Sequence, residues 1–163
     1  MKYPIDKELK SISIYSGSMV GRLYPLVNFD RPLPKGAMLI YPVLDKRMIT
    51  DSMKRFNDTP IWDSNCDKLF WDLYLKNHDL NQTKYASISE IESLEFFPPT
   101  YIETAEYDCL HDEGIWFAEK LKSQGIPVEV HDIKGTCHAY ETATKSSIVE
   151  KCMTQRVEWI RSL

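Results

Sequence analysis

Short apolar runs alternate along the chain with segments of helical periodicity. Residues 11–15 alternate between polar and apolar with a period of two, which predicts a strand. Residues 37–41 form a continuous apolar run, typical of a strand buried on both faces of a parallel sheet. We assign two further strands to residues 100–105 and 127–131, so the pattern predicts an α/β fold.

The first half of the chain has two segments with helical patterns. A short helix is expected over residues 18–27. A second begins near Ser64, where Ser64 and Asp67 resemble a capping box, and runs to about Asn77. Its predicted apolar face consists of Leu69, Phe70, Leu73 and Tyr74. A helical turn is expected at residues 87–90.

The two helices of the second half have clear end signals. We expect Asp112 or its neighbours to begin a helix that Gly125 ends, because glycine commonly follows the last helical residue. Ser147 and Glu150 form a capping box for the last helix. Its predicted apolar stripe consists of Val149, Cys152, Met153, Val157 and Ile160. The alternation predicts a mostly parallel sheet of about four strands with helices on both faces.

The length of 163 residues fits one domain. We therefore expect residues 1–163 to form a single domain. Residues 45–98, which lie between the second and third strands, are interpreted as an insertion into that domain rather than as a second domain.

Charge and composition narrow the function classes. Acidic residues number 24 and basic residues 20, and no basic stripe is present, which argues against nucleic-acid binding. No apolar run is long enough to span a membrane, and no secretory signal is recognisable. The four cysteines lack metal-ligand spacing, so we expect free thiols in a reducing cytoplasm, with Cys66 and Cys152 in the core.

Three residues with catalytic chemistry follow predicted strands. In parallel α/β sheets, sites form at the carboxyl ends of the strands. Ser18 follows the first strand, Asp108 the third and His138 the fourth. A serine hydroxyl needs a base, a histidine can act as one near neutral pH, and an aspartate can orient the histidine. The order Ser, Asp, His is that of the α/β-hydrolase triad.

Two blocks of sequence carry a family resemblance. Residues 36–45 resemble the strand after the nucleophile helix, and residues 98–114 resemble the acid-bearing strand and loop, of the α/β-hydrolase superfamily. The chain resembles its hormone-sensitive-lipase-like esterases, of the acetyl esterase and lipase type, from about Ile5 to Leu163. This resemblance implies a partial α/β-hydrolase fold and hydrolysis of small or medium acyl esters, without a cofactor.

The resemblance also implies roles for individual residues. Asp108 corresponds to the triad acid, His138 to the base and Ser18 to the nucleophile, which would act through an acyl-enzyme. The backbone N–H of Met19 corresponds to an oxyanion donor, and Asp112 to a structural residue at a helix start.

This chain departs from the family pattern at several positions. Ser16 and Val20 replace the two glycines around the nucleophile. Cys109 replaces a proline of the acid loop. Ala139 replaces the glycine after the histidine, which we expect to be a mild change.

Several of these residues have a second interpretation. Ser18 could be a helix N-cap, a common role for serine. An aromatic set could line an acyl pocket or simply pack the insertion; it consists of Trp62, Phe70, Trp71 and Tyr74. No metal site is expected, because His131 and Asp132 are neighbours on a strand and point to opposite faces.

The family's His-Gly-Gly oxyanion motif does not occur in the chain, which therefore resembles the C-terminal half of an esterase. Two hypotheses follow from this. The chain is a serine hydrolase acting on esters, or it is a non-catalytic pseudo-hydrolase that acts as an interaction module. Under either hypothesis residues 11–15 form a sheet edge, at which a second copy or a complementing N-terminal half could pair.

Overall fold

The computed structural model describes the backbone of residues 12–16, and residues 34–76 and 86–163 in full. Its sheet has four parallel strands in sequential order. They are β1 (Ile12–Ser16), β2 (Gly36–Ile40), β3 (Thr100–Tyr107) and β4 (Val128–Cys137). The expected α/β class and parallel sheet are confirmed. β4 continues six residues beyond its predicted end at His131.

Helices connect and follow these strands. They are α1 (Asp51–Arg55), α2 (Ser64–Leu75), α3 (His111–Ser123) and α4 (Ser147–Ser162). Two 3₁₀ turns cover Ile88–Glu90 and Tyr140–Thr142. The helix expected over residues 18–27 lies outside the described residues.

The sheet is buried on both faces. Met38, Ile40 and Tyr101 face one core, which also contains Trp71 of α2 and Trp159 of α4. The strand residues that point to the opposite face, among them Ala37, Leu39 and Ile102, contact a second core. That core also contains Phe117 and Leu121 of α3. This alternation follows from the period of two along a strand. Helices therefore cover both faces, as the sequence pattern predicts.

Two helix starts lie one residue earlier along the chain than expected. Asp63, not Ser64, caps α2, and its side chain accepts a hydrogen bond from the Cys66 N–H. Ser146, not Ser147, caps α4. Both capping residues have extended backbone dihedrals, which the N-cap position requires, whereas Ser64 and Ser147 are already helical.

The predicted apolar faces of α2 and α4 were partly wrong. Leu69 and Leu73 are 59% and 63% exposed, whereas the buried residues of α2 are Asp67 and Trp71. Cys66, placed in the core by the sequence pattern, is also exposed. Each helix packs on the sheet through a narrow face, and in α2 a tryptophan occupies that face instead of the smaller leucines.

On α4, Met153 and Val157 are exposed, and Trp159 is buried instead. Val149 and Cys152 are buried as expected. Here too a tryptophan, with its larger apolar surface, takes the position against the sheet.

α3 approaches β3 closely at Gly114. A Cβ added there would lie 2.7 Å from the Thr104 methyl carbon, closer than such atoms approach. Glycine at this position therefore allows the N-terminal part of α3 to pack directly on β3. This contact fixes the loop between β3 and α3, which contains Asp108.

A buried carboxylate of β3 joins the sheet to α4. Glu103 is fully buried and pairs with the Arg156 guanidinium, whose Nε lies 3.1 Å from Oε2. The hydroxyl of Tyr140 donates to Glu103 at 2.6 Å, and that of Tyr101 donates at 2.9 Å. Hydrogen bonds therefore satisfy both oxygens of a group whose burial would otherwise be costly.

Removing Arg156 should strongly destabilise the fold, because the buried carboxyl group of Glu103 would lose its cationic partner. We expect Arg156→Met to lower the free energy of unfolding by about 3–5 kcal/mol. Urea denaturation measures this change, and Arg161→Met, at an exposed position of the same helix, should change it by less than about 0.5 kcal/mol. Equal effects of the two substitutions would contradict the proposed role of the ion pair.

Candidate active site

The pairing of β3 with β4 brings two sequence-predicted residues together. From Ala105 to Tyr107 β3 advances two positions, whereas from its partner Ile133 to Cys137 β4 advances four. The two additional residues of β4 form a bulge, in which Gly135 has a φ of +72°. Tyr107 and Cys137 are therefore opposite each other, and the residues that follow them are neighbours.

Those following residues are Asp108 and His138. The His138 Nδ1 lies 2.8 Å from Asp108 Oδ2. The second carboxylate oxygen, Oδ1, accepts a hydrogen bond from the Leu110 N–H at 3.0 Å. Because a carboxylate can only accept, the ring proton sits on Nδ1, and Nε2 remains as the basic nitrogen. Asp108 is 1% exposed, so solvent competes little for this hydrogen bond.

Two aromatic rings flank the His138 imidazole. The Trp62 ring stacks on it at 5.8 Å between centroids and 28° between planes. The Tyr41 ring lies 5.0 Å away and is tilted by 49°. The imidazole is thus held by β3, by the end of β2 and by the segment between β2 and β3.

Sequence reasoning did not identify Tyr41 as a site residue. It follows the last residue of β2 and has a left-handed φ of 45°. Its hydroxyl donates to Glu141 at 2.6 Å, and burial together with this hydrogen bond raises the pKa of Tyr41. Its position at the carboxyl end of a strand was the available signal, since the same rule selected Asp108 and His138.

The other predicted aromatic residues form one cluster with Trp62. Phe70 packs against Trp62, Trp71 and Tyr74, with ring centroids 6.3, 5.4 and 5.5 Å away. Trp71 is only 3% exposed, so its ring belongs to the core, while Trp62, Phe70 and Tyr74 are partly buried. The set therefore contacts the candidate site through Trp62.

Asp112 joins the loop after Asp108 to α1. Its Oδ2 accepts a hydrogen bond from the Ser52 N–H at 2.8 Å, and its own N–H donates to the Ser52 hydroxyl. Burial alone would raise the pKa of Asp112, but hydrogen bonds from His111 and Ser52 hold it below its usual value. Asp112 does not cap α3, because that helix starts after Leu110 without a side-chain cap.

Two carboxyl groups lie buried close to this site. Asp67 and Glu113 are at most 2% exposed. Burial raises the pKa of both, to about 7 for Asp67 and well above the usual value for Glu113. Glu113 accepts a hydrogen bond from the Leu44 N–H at 2.7 Å. Neither residue was singled out from the sequence for a role in the site.

Ser18 and the Met19 N–H lie outside the described residues. β1 is described up to Ser16, two residues before Ser18, and it runs parallel to β2. The carboxyl end of β1 therefore lies at the same edge of the sheet as Tyr41, Asp108 and His138.

The other residues considered from the sequence, as possible metal ligands, do not form a site in the described ranges. His131 bonds to Glu129, whereas Asp132 bonds to His111 and Lys134, so the two neighbours have separate partners. Between 34 and 76 and between 86 and 163, no group of three histidine, cysteine or acidic side chains is arranged to hold a metal ion. The same ranges contain no helix with the length and apolarity to cross a bilayer.

Comparison with known proteins agrees with this geometry. A family model described as alpha/beta hydrolase fold matches residues 21–142, which is most of the chain. The chain belongs to the alpha/beta hydrolase fold family. The family resemblance stated from the sequence is thereby confirmed.

Relatives of this α/β hydrolase include named esterases. Esterase LipI of Mycobacterium tuberculosis is 35% identical over 104 residues, 63% of this chain and 32% of LipI. Arylacetamide deacetylase of Oryctolagus cuniculus is 27% identical across 99% of this chain and 43% of its own length. A solved bacterial heroin esterase superposes with a TM-score of 0.78 at 32% identity, over 88% of this chain and 46% of that one. The chain thus spans less than half of the length of these relatives.

Ala139 departs from the family pattern of this α/β hydrolase, and its steric cost in the folded chain is larger than expected. Ala139, which follows His138, has φ 56° and ψ 34°, in the left-handed region. An alanine there carries a steric cost of about 1–2 kcal/mol that a glycine avoids. The change from the family's glycine, expected from the sequence to be mild, therefore stores strain beside His138.

Replacing Ala139 with glycine should relieve this strain. We expect Ala139→Gly to raise the free energy of unfolding by up to about 1 kcal/mol, the gain being limited by the added freedom of glycine in the unfolded chain. Thermal or urea denaturation measures it. Ala143→Gly, in the same loop but at a φ of −80°, should be neutral or destabilising. If the Ala139→Gly variant were no more stable than the Ala143→Gly control, the steric cost of alanine in the left-handed region would be refuted.

Proposed function

We propose that this chain acts in the hydrolysis of carboxylic esters, with His138 as the general base, Asp108 as the residue that orients it, and Ser18 as the nucleophile. The observation that carries this proposal is the 2.8 Å hydrogen bond between His138 Nδ1 and the buried Asp108. It leaves Nε2 to accept a proton at the edge of the sheet where β1 ends.

The proposed reaction has two steps. Nε2 of His138 takes the proton of the Ser18 hydroxyl while Oγ attacks the ester carbonyl, and the imidazolium returns that proton to the departing alcohol. Water then repeats the sequence on the acyl-enzyme, releasing the acid and restoring Ser18. Asp108 stabilises the imidazolium in both steps.

The oxyanion of each tetrahedral intermediate needs hydrogen-bond donors. We assign one to the Met19 N–H, which follows the nucleophile. Each missing donor costs about 10²–10³ in rate. Further donors would come from a second chain or a longer product pairing beside β1, the edge strand of the described sheet.

The substrate class is a small or medium acyl ester. Trp62 stacks on His138 and packs against Phe70, which in turn stacks on Tyr74, and this chain of partly buried aromatic rings is a surface suited to an acyl chain. The names of the relatives, esterase and deacetylase, share the removal of an acyl group.

We also propose a cytoplasmic location, since Cys66, Cys109, Cys137 and Cys152 are all free thiols.

Ester turnover and active-serine labelling test this function on the full chain. We expect hydrolysis of p-nitrophenyl acetate and butyrate, and covalent labelling of Ser18 by a fluorophosphonate located by peptide mass spectrometry. Ser18→Ala should abolish the labelling, and His138→Gln should lower turnover at least about 10³-fold because the hydroxyl loses its base.

His131→Gln is the matched control, because His131 lies on β4, the strand that precedes His138, but bonds to Glu129 rather than to Asp108. It should leave labelling and turnover unchanged. If a folded chain shows no labelling, and its residual turnover is the same in His138→Gln, the enzymatic proposal fails and the non-catalytic alternative stands.

A further inference from the structure

Asp67 is an orphaned carboxyl group in the core beneath the candidate site. The residue is 0% exposed, and neither of its oxygens has a hydrogen-bond partner at normal geometry. The indole nitrogens of Trp62 and Trp71 are also buried without a partner. Such groups are rare in folded proteins and call for an explanation.

These orphaned atoms are neighbours. Trp71 is one turn after Asp67 on α2, and the N–H groups of Trp62 and Trp71 both act on Asp67, lowering a pKa that burial raises to about 7. An indole N–H can only donate and a carboxylate can only accept, so the groups are chemically matched. Pairing them would satisfy all four orphaned atoms together.

Asp67 also faces the proposed base. The titratable groups whose charges act on it, or on which it acts, are Asp108, His138, Cys109 and Glu113. The charge of a protonated His138 acts to lower the pKa of Asp67, and Trp62, one of the two indole neighbours of Asp67, is the ring stacked on His138. Asp67 thus reaches the imidazole by charge and through the stacked ring.

We propose that Asp67 is a positioning residue for His138, which it holds through the indole N–H of Trp62 and whose charged form it stabilises as a second carboxylate behind Asp108. This inference rests on the proposed function for its catalytic meaning. The hydrogen bond between the Trp62 N–H and Asp67 is part of the proposal, whereas the stacking of Trp62 on His138 is observed.

The titration of the His138 ring tests the charge interaction without any ester substrate. The ring resonances of ¹³C-labelled protein are followed between pH 5 and pH 9 and assigned with His138→Gln. In Asp67→Asn the midpoint should move down by about half a unit to one unit, because a negative charge facing the imidazolium is lost. Asp72→Asn is the control on the same helix, at an exposed residue paired with Lys68, and should leave the midpoint unchanged.

Stability provides a second readout in case the ring signals overlap. Because burial raises the pKa of Asp67 to about 7, folding favours its protonated form, and the wild-type chain should lose stability as the pH rises from about 4 to about 7. Asp67→Asn keeps the size and an accepting oxygen, so it should fold and show a smaller loss over this range. Trp62→Phe keeps the ring but removes the N–H, and should broaden or shift the His138 resonances.

An unchanged His138 midpoint in a folded Asp67→Asn variant would overturn the inference, even if the pH dependence of stability changes, because burial of Asp67 alone produces that change. Where ester turnover is present, the acid limb of kcat/KM should move down with the His138 midpoint. A wild-type chain without turnover would refute the proposed function alone, since the ring titration and the stability measurement do not depend on catalysis.

Discussion

The geometry of the candidate site depends on the parallel pairing of β3 with β4 and on the bulge in β4. If β4 paired regularly without the bulge, Tyr107 would pair with Gly135, and His138 would lie two residues, about 6–7 Å, further along the chain direction. Its Nδ1 could not then reach Asp108. Gly135 adopts the left-handed conformation that the bulge requires, and its N–H is bonded to Glu106 of the neighbouring strand at 2.7 Å.

β3 supports the site at two points. Asp108 at its carboxyl end bonds to the imidazole, while Glu103 in its middle bonds to Tyr140, two residues after His138. The same Glu103 pairs with Arg156, so α4 and the His138 loop are held by one buried carboxylate. This support accounts for how Ala139 can be kept in a strained conformation next to the proposed base.

The strands and the pair Asp108 and His138 could be predicted from the sequence for a physical reason. β2 is buried on both faces and is a continuous apolar run, and residues at strand ends share one edge of the sheet, so local patterns carry this information. The starts of α2 and α4 were predicted to within one residue, because Asp63 and Ser64, or Ser146 and Ser147, are adjacent polar residues that can both cap.

The contacts around the imidazole could not be predicted in the same way. Tyr41 lies 97 positions before His138 in the chain and Trp62 lies 76 before it, so no local period links them. Asp67 was expected to be part of a capping box with Ser64, and its complete burial is contrary to the usual preference of aspartate for the surface. Its burial depends on which face of α2 packs against the sheet, and the apolar pattern of Leu69 and Leu73 predicts the wrong face.

The hydrogen bond from His138 Nδ1–H to Asp108 can be observed directly by ¹⁵N and ¹H NMR of the imidazole. At neutral pH we expect Nδ1 to carry the proton, with a strongly deshielded resonance that Asp108→Ala removes and His131→Gln preserves. A neutral ring protonated on Nε2, or a resonance unchanged in Asp108→Ala, would contradict it.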